Sequence, residues 1–138
     1  MIEPVYADQW LYSKLTTDAT LASLLSGRVY SYMAPLGAAF PCIIYAYQGG
    51  ADASVVGSYR IFNSGQYQVK AVGQGESMAA LAAIANRLDT VLHRAAGTVT
   101  GGAILACVRE RPLSYAEFTN GLRYNHLGGI YRILVQES

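Results

Sequence analysis

Apolar positions recur every three to four residues through the first stretch of the chain, at Tyr6, Trp10, Leu11 and Leu15, then at Leu21, Leu24 and Leu25. That spacing lines up along one side of an α-helix. Residues 4 to 26 therefore read as helical, divided into two short helices. Pro4 suits a first turn, where its missing N–H costs nothing. Thr16-Thr17-Asp18 supplies a fresh N-cap, and Gly27 closes the second helix. Residues 28 to 41 follow as an extended connection, because Pro35 and Pro41 hold the residues before them out of the helical region.

The period then changes. Cys42 to Tyr47 is a continuous apolar run that suits a strand, and Gly49-Gly50-Ala51-Asp52 reads as its end. Val55 to Phe62 reads as a weaker strand, at an edge or in an arm. Asn63-Ser64-Gly65 reads as a turn into Gln66 to Val72, where Tyr67, Val69 and Ala71 alternate with Gln68 and Lys70. Such alternation marks an antiparallel strand with one wetter face. Helical spacing returns at Leu81, Ile84, Leu88 and Val91, which predicts a helix from about Glu76 to His93. Two more strands, Ala103 to Arg111 and Ile130 to Gln136, flank a polar loop rich in turn residues. The expected order is α-α-β-β-β-α-β-β. An α+β fold satisfies it, with a mainly antiparallel sheet of four to five strands and helices packed on one face.

Length and composition narrow the use of such a fold. A chain of 138 residues is expected to form one domain, 1–138, with a sizeable core. Charged residues make up only 14% of it, against roughly 25% in an average globular domain. A surface so poor in charge tends to be covered by other protein. Eleven tyrosines point the same way, since Tyr offers a rigid apolar body with a polar tip. The net charge of +1 carries no Lys/Arg cluster, so the footprint of a nucleic-acid binder is missing. Met1-Ile2-Glu3-Pro4 places an acid where a signal peptide has a basic region, and no apolar run reaches the length of a membrane span. The expectation is a soluble protein made in the cytoplasm, with no membrane partner.

Candidate chemistry is sparse. Gly73-Gln74-Gly75 sits between strand and helix, where a dinucleotide fingerprint would lie, but Met78 stands at the third glycine position and no ribose-binding acid follows. A tight turn explains these glycines, and no cofactor is expected. Cys42 and Cys107 lie in apolar runs without a CxxC or a nearby His, which predicts buried free thiols and no metal site. His93 falls near a helix end and His126 in a late loop or at a strand start, neither with an acid or thiol at triad spacing. Arg109-Glu110-Arg111-Pro112 reads as a strand end with alternating charge, either a solvated edge or a subunit contact. No phosphate-cradling loop or nucleophile elbow is present. No catalytic residue is expected.

The N-terminal third carries a resemblance. Leu11-Tyr12-Ser13-Lys14-Leu15, Asp18, Leu21, Leu24-Leu25, Gly27-Arg28-Val29-Tyr30, Ala34-Pro35 and Phe40-Pro41 follow in an order that resembles the tail-completion family of long-tailed bacteriophages. These proteins are also called tail terminators or head-to-tail joining proteins. The likeness continues through the Tyr67 strand and the Ala-rich helix to Gly128-Gly129-Ile130-Tyr131-Arg132. It implies a virion protein at the head–tail junction that forms a ring, with six copies expected, on the last ring of the tail tube. Its implied partners are further copies of itself, the major tail-tube protein and a head-side connector or stopper protein. Genomic DNA would pass through the lumen without sequence-specific binding. Ring contacts are expected on the Tyr30–Pro35 connector and on Val55–Phe62, and Arg109 and Arg111 are expected as inter-subunit or lumen residues, which gives Arg28, Tyr30, Tyr32, Met33, Pro35, Tyr59, Arg60, Arg109 and Arg111 as the candidate interface. Rival readings are another neck or tail-tube protein of similar fold, or a small dimeric ligand-binding module. An enzyme would require His126 or His93 to meet an acid in a cleft.

Overall fold

The computed structural model describes residues 3–57, 60–75 and 77–137. Helices α1 (Glu3–Thr17) and α2 (Ala19–Leu25) lead into strands β1 (Val29–Ser31), β2 (Cys42–Ser54) and β3 (Arg60–Gln74). A short 3-10 turn (Met78–Leu81) opens α3 (Ala82–Leu92), and β4 (Ala95–Val99), β5 (Gly102–Thr119) and β6 (Leu122–Glu137) complete the chain. The expected division into two helices is present: Asp18 caps α2 by accepting from the Leu21 N–H at 3.0 Å, and Ser26 turns left-handed (φ 52°) at its end. The same Asp18 carboxylate takes two hydrogen bonds from Arg87 of α3, at 2.6 and 3.0 Å, and so ties the two helices.

The sheet has six strands in the order β1-β2-β3-β6-β5-β4. All neighbours are antiparallel except β1 and β2, so the sheet is mixed. This corrects the four- to five-stranded expectation while keeping the α+β class. Two strands were not expected: β1, inside the segment read as a plain connection, and β4, whose Ala95-Ala96-Gly97-Thr98-Val99 carries almost no strand signal. The weaker strand expected at Val55–Phe62 is not a strand of its own, since Val55–Gly57 lie at the β2–β3 tip and Arg60–Phe62 open β3. Both β1 and β4 are edges. They form because the backbone finds partners, with the Ile43 N–H donating to the Arg28 carbonyl and the Arg94 N–H to that of Cys107.

The helices cover one face. Tyr6, Trp10, Leu11 and Leu15 of α1 join Leu21 and Leu25 of α2 and Ile84, Leu88 and Leu92 of α3 over Ile43, Tyr45, Tyr67, Val69, Ile104, Cys107, Tyr131, Ile133 and Val135. Helix α1 touches both edge strands, so the sheet curls around it. Gly97 makes the β4 contact possible: a Cβ there would lie 2.8 Å from Trp10 Nε1. Cys42 and Cys107 are both buried free thiols.

Two signals read as breaks are not breaks. Gly49-Gly50-Ala51-Asp52 lies inside the 13-residue β2, with a bulge at Gln48 between Tyr47 and Gly49. Asn63-Ser64-Gly65 lies inside the 15-residue β3. Gly50 pairs with Gly65, and a Cβ on Gly50 would meet the Ser64 carbonyl oxygen at 2.4 Å. These glycines allow a bulge and a close strand crossing, the alternative meaning of glycine in a strand. Likewise the polar loop expected after Arg111 is strand, because β5 and β6 form one long hairpin around Asn120-Gly121. The Asn-Gly pair takes positive φ at both residues, as a tight hairpin turn requires.

Candidate assembly surfaces

Register fixes where the two hairpin tips lie. Strand β3 runs from the β2–β3 tip toward Gln74, which pairs with Tyr124 near the β5–β6 tip. The tips therefore project from opposite ends of the sheet. Each is apolar and open. Val55, Val56 and Ile61 are exposed at the first, with Val56 fully so, and Phe118 (72%) and Leu122 (48%) at the second. A third open apolar group, Tyr32, Met33 and Leu36, stands on the connector between β1 and β2.

The expected interface residues fall at three places and do not converge. Arg28 is half-buried and structural: its Nε donates to the Pro41 carbonyl at 2.8 Å, joining the two ends of the connector. Tyr30 is half-buried on β1, while Tyr32, Met33 and Pro35 are exposed beyond it. Arg60 is on the β2–β3 arm, 3.7 Å from Asp52 in an exposed ion pair. Tyr59 lies outside the described residues, as does Glu76, the expected start of the third helix. Arg109 and Arg111 belong to the middle of β5, which corrects the reading of Arg109–Pro112 as a strand end. A bulge between them turns the charges apart: Arg109 lies 3.8 Å from Asp89 on the helix side, and Glu110 accepts from Arg132 Nε and Gln66 Nε2, each at 3.0 Å, on the other face. Those two partners hold the Glu110 carboxyl below its ordinary range. Pro112 is tolerated in mid-strand because β4 pairs with β5 only as far as Cys107.

Sequence reasoning missed the second sheet face. Between the connector and the β5–β6 arm runs an open groove of about 480 Å³, lined among others by Pro35, Leu36, Phe40, Ile44, Val72, Glu117, Tyr124 and His126. At its root four side chains from three strands meet. His126 Nε2 is 2.8 Å from Glu117, its ring stacks on Tyr115 at 4.2 Å, and Lys70 Nζ reaches the Tyr115 hydroxyl at 2.5 Å. Only the hairpin register, pairing Tyr115 with His126, brings an acid to this histidine. Burial and the nearby Lys70 lower the pKa of His126, outweighing the pull of Glu117. The neutral ring donates from Nε2, and its buried Nδ1 has no hydrogen-bond partner among the described residues. His93 has a different role, accepting from the Arg109 N–H through Nδ1 at 3.1 Å where α3 ends.

Among the described residues no group of His, Cys, Asp and Glu is arranged to hold a metal, and no helix is long and apolar enough to cross a membrane. The sequence profile of the family described as Tail completion protein gp17 matches residues 9–122. The chain belongs to that tail-completion family. A solved structure described as the virion of a native gene transfer agent particle contains a chain with the same fold, at a TM-score of 0.76 and 19% identity over 98% of both chains. No curated protein sequence matches. The chain is thus a structural tail protein by family, and the hairpin arms and connector are surfaces of a tail-completion fold.

Proposed function

We propose that this tail-completion protein forms a ring, six copies in order, that caps the phage tail tube and ends its polymerisation. The ring joins the tube to a head-side connector or stopper protein, so the chain works at the head–tail junction of the virion after synthesis in the bacterial host. The observation that carries this reading is the placement of unlike apolar surfaces on one protomer. The β2–β3 tip, the β5–β6 tip and the connector differ in sequence and point in different directions. A twofold dimer needs one self-complementary patch, whereas a closed ring needs two different ones plus a surface for each axial neighbour. Genomic DNA passes through the lumen without being gripped, which suits a net charge of +1.

The role is assembly and not catalysis. His126 does meet an acid beside a groove, as an enzyme would require. Its side chain is only 6% exposed, with Nδ1 sealed and Nε2 taken by Glu117, so no ring nitrogen faces a substrate. The four-residue cluster fastens the root of the β5–β6 arm to β3. The test is tube-protein polymerisation with and without this chain, followed by electron microscopy. Tubes that end in a cap at one end, and shorten as the chain is added, are expected. Tube lengths indifferent to the chain would overturn the reading.

A further inference from the structure

The first candidate is Asp8. It lies on α1, facing β1, and accepts from the Ser31 hydroxyl at 3.0 and 3.3 Å. Beside it an open cleft of about 360 Å³ is lined by Asp8, Gln9, Tyr12, Ser13 and Tyr45, and Tyr32 borders the same carboxylate. Tyr12 and Tyr32 are 46% and 57% exposed. Among the described residues no cation lies within ion-pair distance of Asp8. A carboxylate framed by exposed phenol rings suits a guanidinium, which can pair with the acid and stack on the rings at once.

The arginines can be sorted by what they already hold. Arg60, Arg87, Arg109 and Arg132 face acids, Arg28 holds a carbonyl, and Arg123 holds Asn125 at 2.8 Å. Arg94 and Arg111 have no side-chain partner among the described residues. Arg94 is exposed too, but it sits in the turn from α3 into β4, with its backbone N–H bonded to the Cys107 carbonyl. Arg111 is exposed on the stretch of β5 that β4 leaves uncovered, close to the open Val108. It pairs with Ile130 on the face away from the helices, whereas Asp8 is on the helix side at the opposite edge of the sheet. Within one protomer the two cannot meet.

We infer that Arg111 of one subunit docks into the Asp8–Tyr12 cleft of the next, making the subunit-to-subunit contact of the ring. The inference rests on the ring reading and gives that ring its polarity, with Asp8 beside the β1 edge of one subunit meeting Arg111 on β5 of its neighbour. Opposite charges on the two sides of the contact also discourage like sides from meeting.

A charge swap in the full-length chain tests this, read by sedimentation velocity alone and with tail-tube protein. Asp8→Asn keeps an acceptor for Ser31 and removes only the charge, and is expected to weaken subunit association about tenfold, the size of one modest interfacial ion pair. Asp8→Arg and Arg111→Asp are each expected to abolish the ring, and the double variant Asp8→Arg/Arg111→Asp to recover it. Arg94→Asp should assemble like wild type, and thermal melts report whether each variant is folded. Folded single variants that assemble like wild type would overturn the pairing and leave the ring standing, as would a double variant no better than either single one. A wild-type chain that forms no ring even with tube protein would remove the ring reading beneath the inference.

Discussion

Gly128 and Gly129 are neighbours in β6, yet the same substitution should be costly at the first and nearly neutral at the second. A Cβ on Gly128 would lie 2.1 Å from the Val69 carbonyl oxygen and 2.5 Å from Lys70 Cα. The first distance is more than about 1 Å short of the ~3.3 Å at which carbon and carbonyl oxygen approach across sheets. Both obstacles are backbone, so no rotamer change relieves them. Strands β3 and β6 must separate in the middle of the sheet, which lengthens their ladder hydrogen bonds. Overpacking strain of about 1–3 kcal/mol, with one or two weakened ladder bonds at about 1 kcal/mol each, gives about 3 kcal/mol for Gly128→Ala. For a domain of this size that is a fall in Tm of about 10 °C. At Gly129 the new methyl meets Arg109 Cδ at 2.8 Å and Cγ at 3.0 Å, atoms of a side chain that can swing into solvent, and Tyr131 Cε1 at 3.2 Å, a buried ring that has to give only slightly. The lost Arg109–Asp89 contact is worth under about 1 kcal/mol. Reduced backbone freedom in the unfolded chain returns a similar amount. Gly129→Ala should therefore stay within about 1 kcal/mol of wild type. Urea unfolding of the three proteins decides it. A Gly128→Ala protein as stable as wild type, or two variants equally destabilised, would refute the close-crossing argument.

Other perturbations follow from burial and charge. Burial pushes the Cys42 thiol up to about 11 and Cys107 up to about 12, so iodoacetamide at pH 8 should label neither until urea unfolds the chain; labelling at the rate of free cysteine would contradict their burial. Arg87 holds the Asp18 carboxyl below its ordinary value, so this pair contributes stability above the unfolded carboxylate pKa and loses it as pH falls through the folded one. In Asp18→Asn the part of acid destabilisation below about pH 4 that belongs to this pair should vanish, as read from melts across pH. His126 has a lowered folded pKa, so the unfolded chain takes up its proton first, and stability should drop as pH falls below about 6.5. His126→Phe keeps the stack on Tyr115 and should flatten that drop; an unchanged slope would place the titration elsewhere. Val56→Asp, at a fully exposed tip, should leave the unfolding free energy within about 0.5 kcal/mol of wild type while impairing assembly.

The legible parts of the sequence were those where one local rule decides. Helical spacing set α1 and α3, Asp18 could only be a cap, and the alternation around Tyr67 placed a strand with one buried face. Glycine misled because its permissiveness serves two ends. At Gly49-Gly50 and Asn63-Ser64-Gly65 it allows a bulge and a tight strand crossing, and only the partner strand distinguishes that from a turn. Strands β1 and β4 were invisible for a related reason: short edges are specified by the neighbour they bond to, and Ala-Ala-Gly has no preference of its own. The same holds for function. The connector and the Val55–Phe62 segment could be picked out as contact candidates, whereas the β5–β6 arm read as a polar loop, and the meeting of His126 with Glu117 depends on a register that spans nine residues of hairpin. Asn120-Gly121 was the available signal for that hairpin, since Asn-Gly between apolar-patterned segments marks a tight turn.

The most direct test of the central claim is the mass of the protein in solution, measured by light scattering over a concentration series, alone and with tail-tube protein. A species of about six protomers, or a monomer that becomes one on meeting tubes, is the result expected of a closed heterologous ring. A tight dimer whose mass ignores tube protein would contradict it.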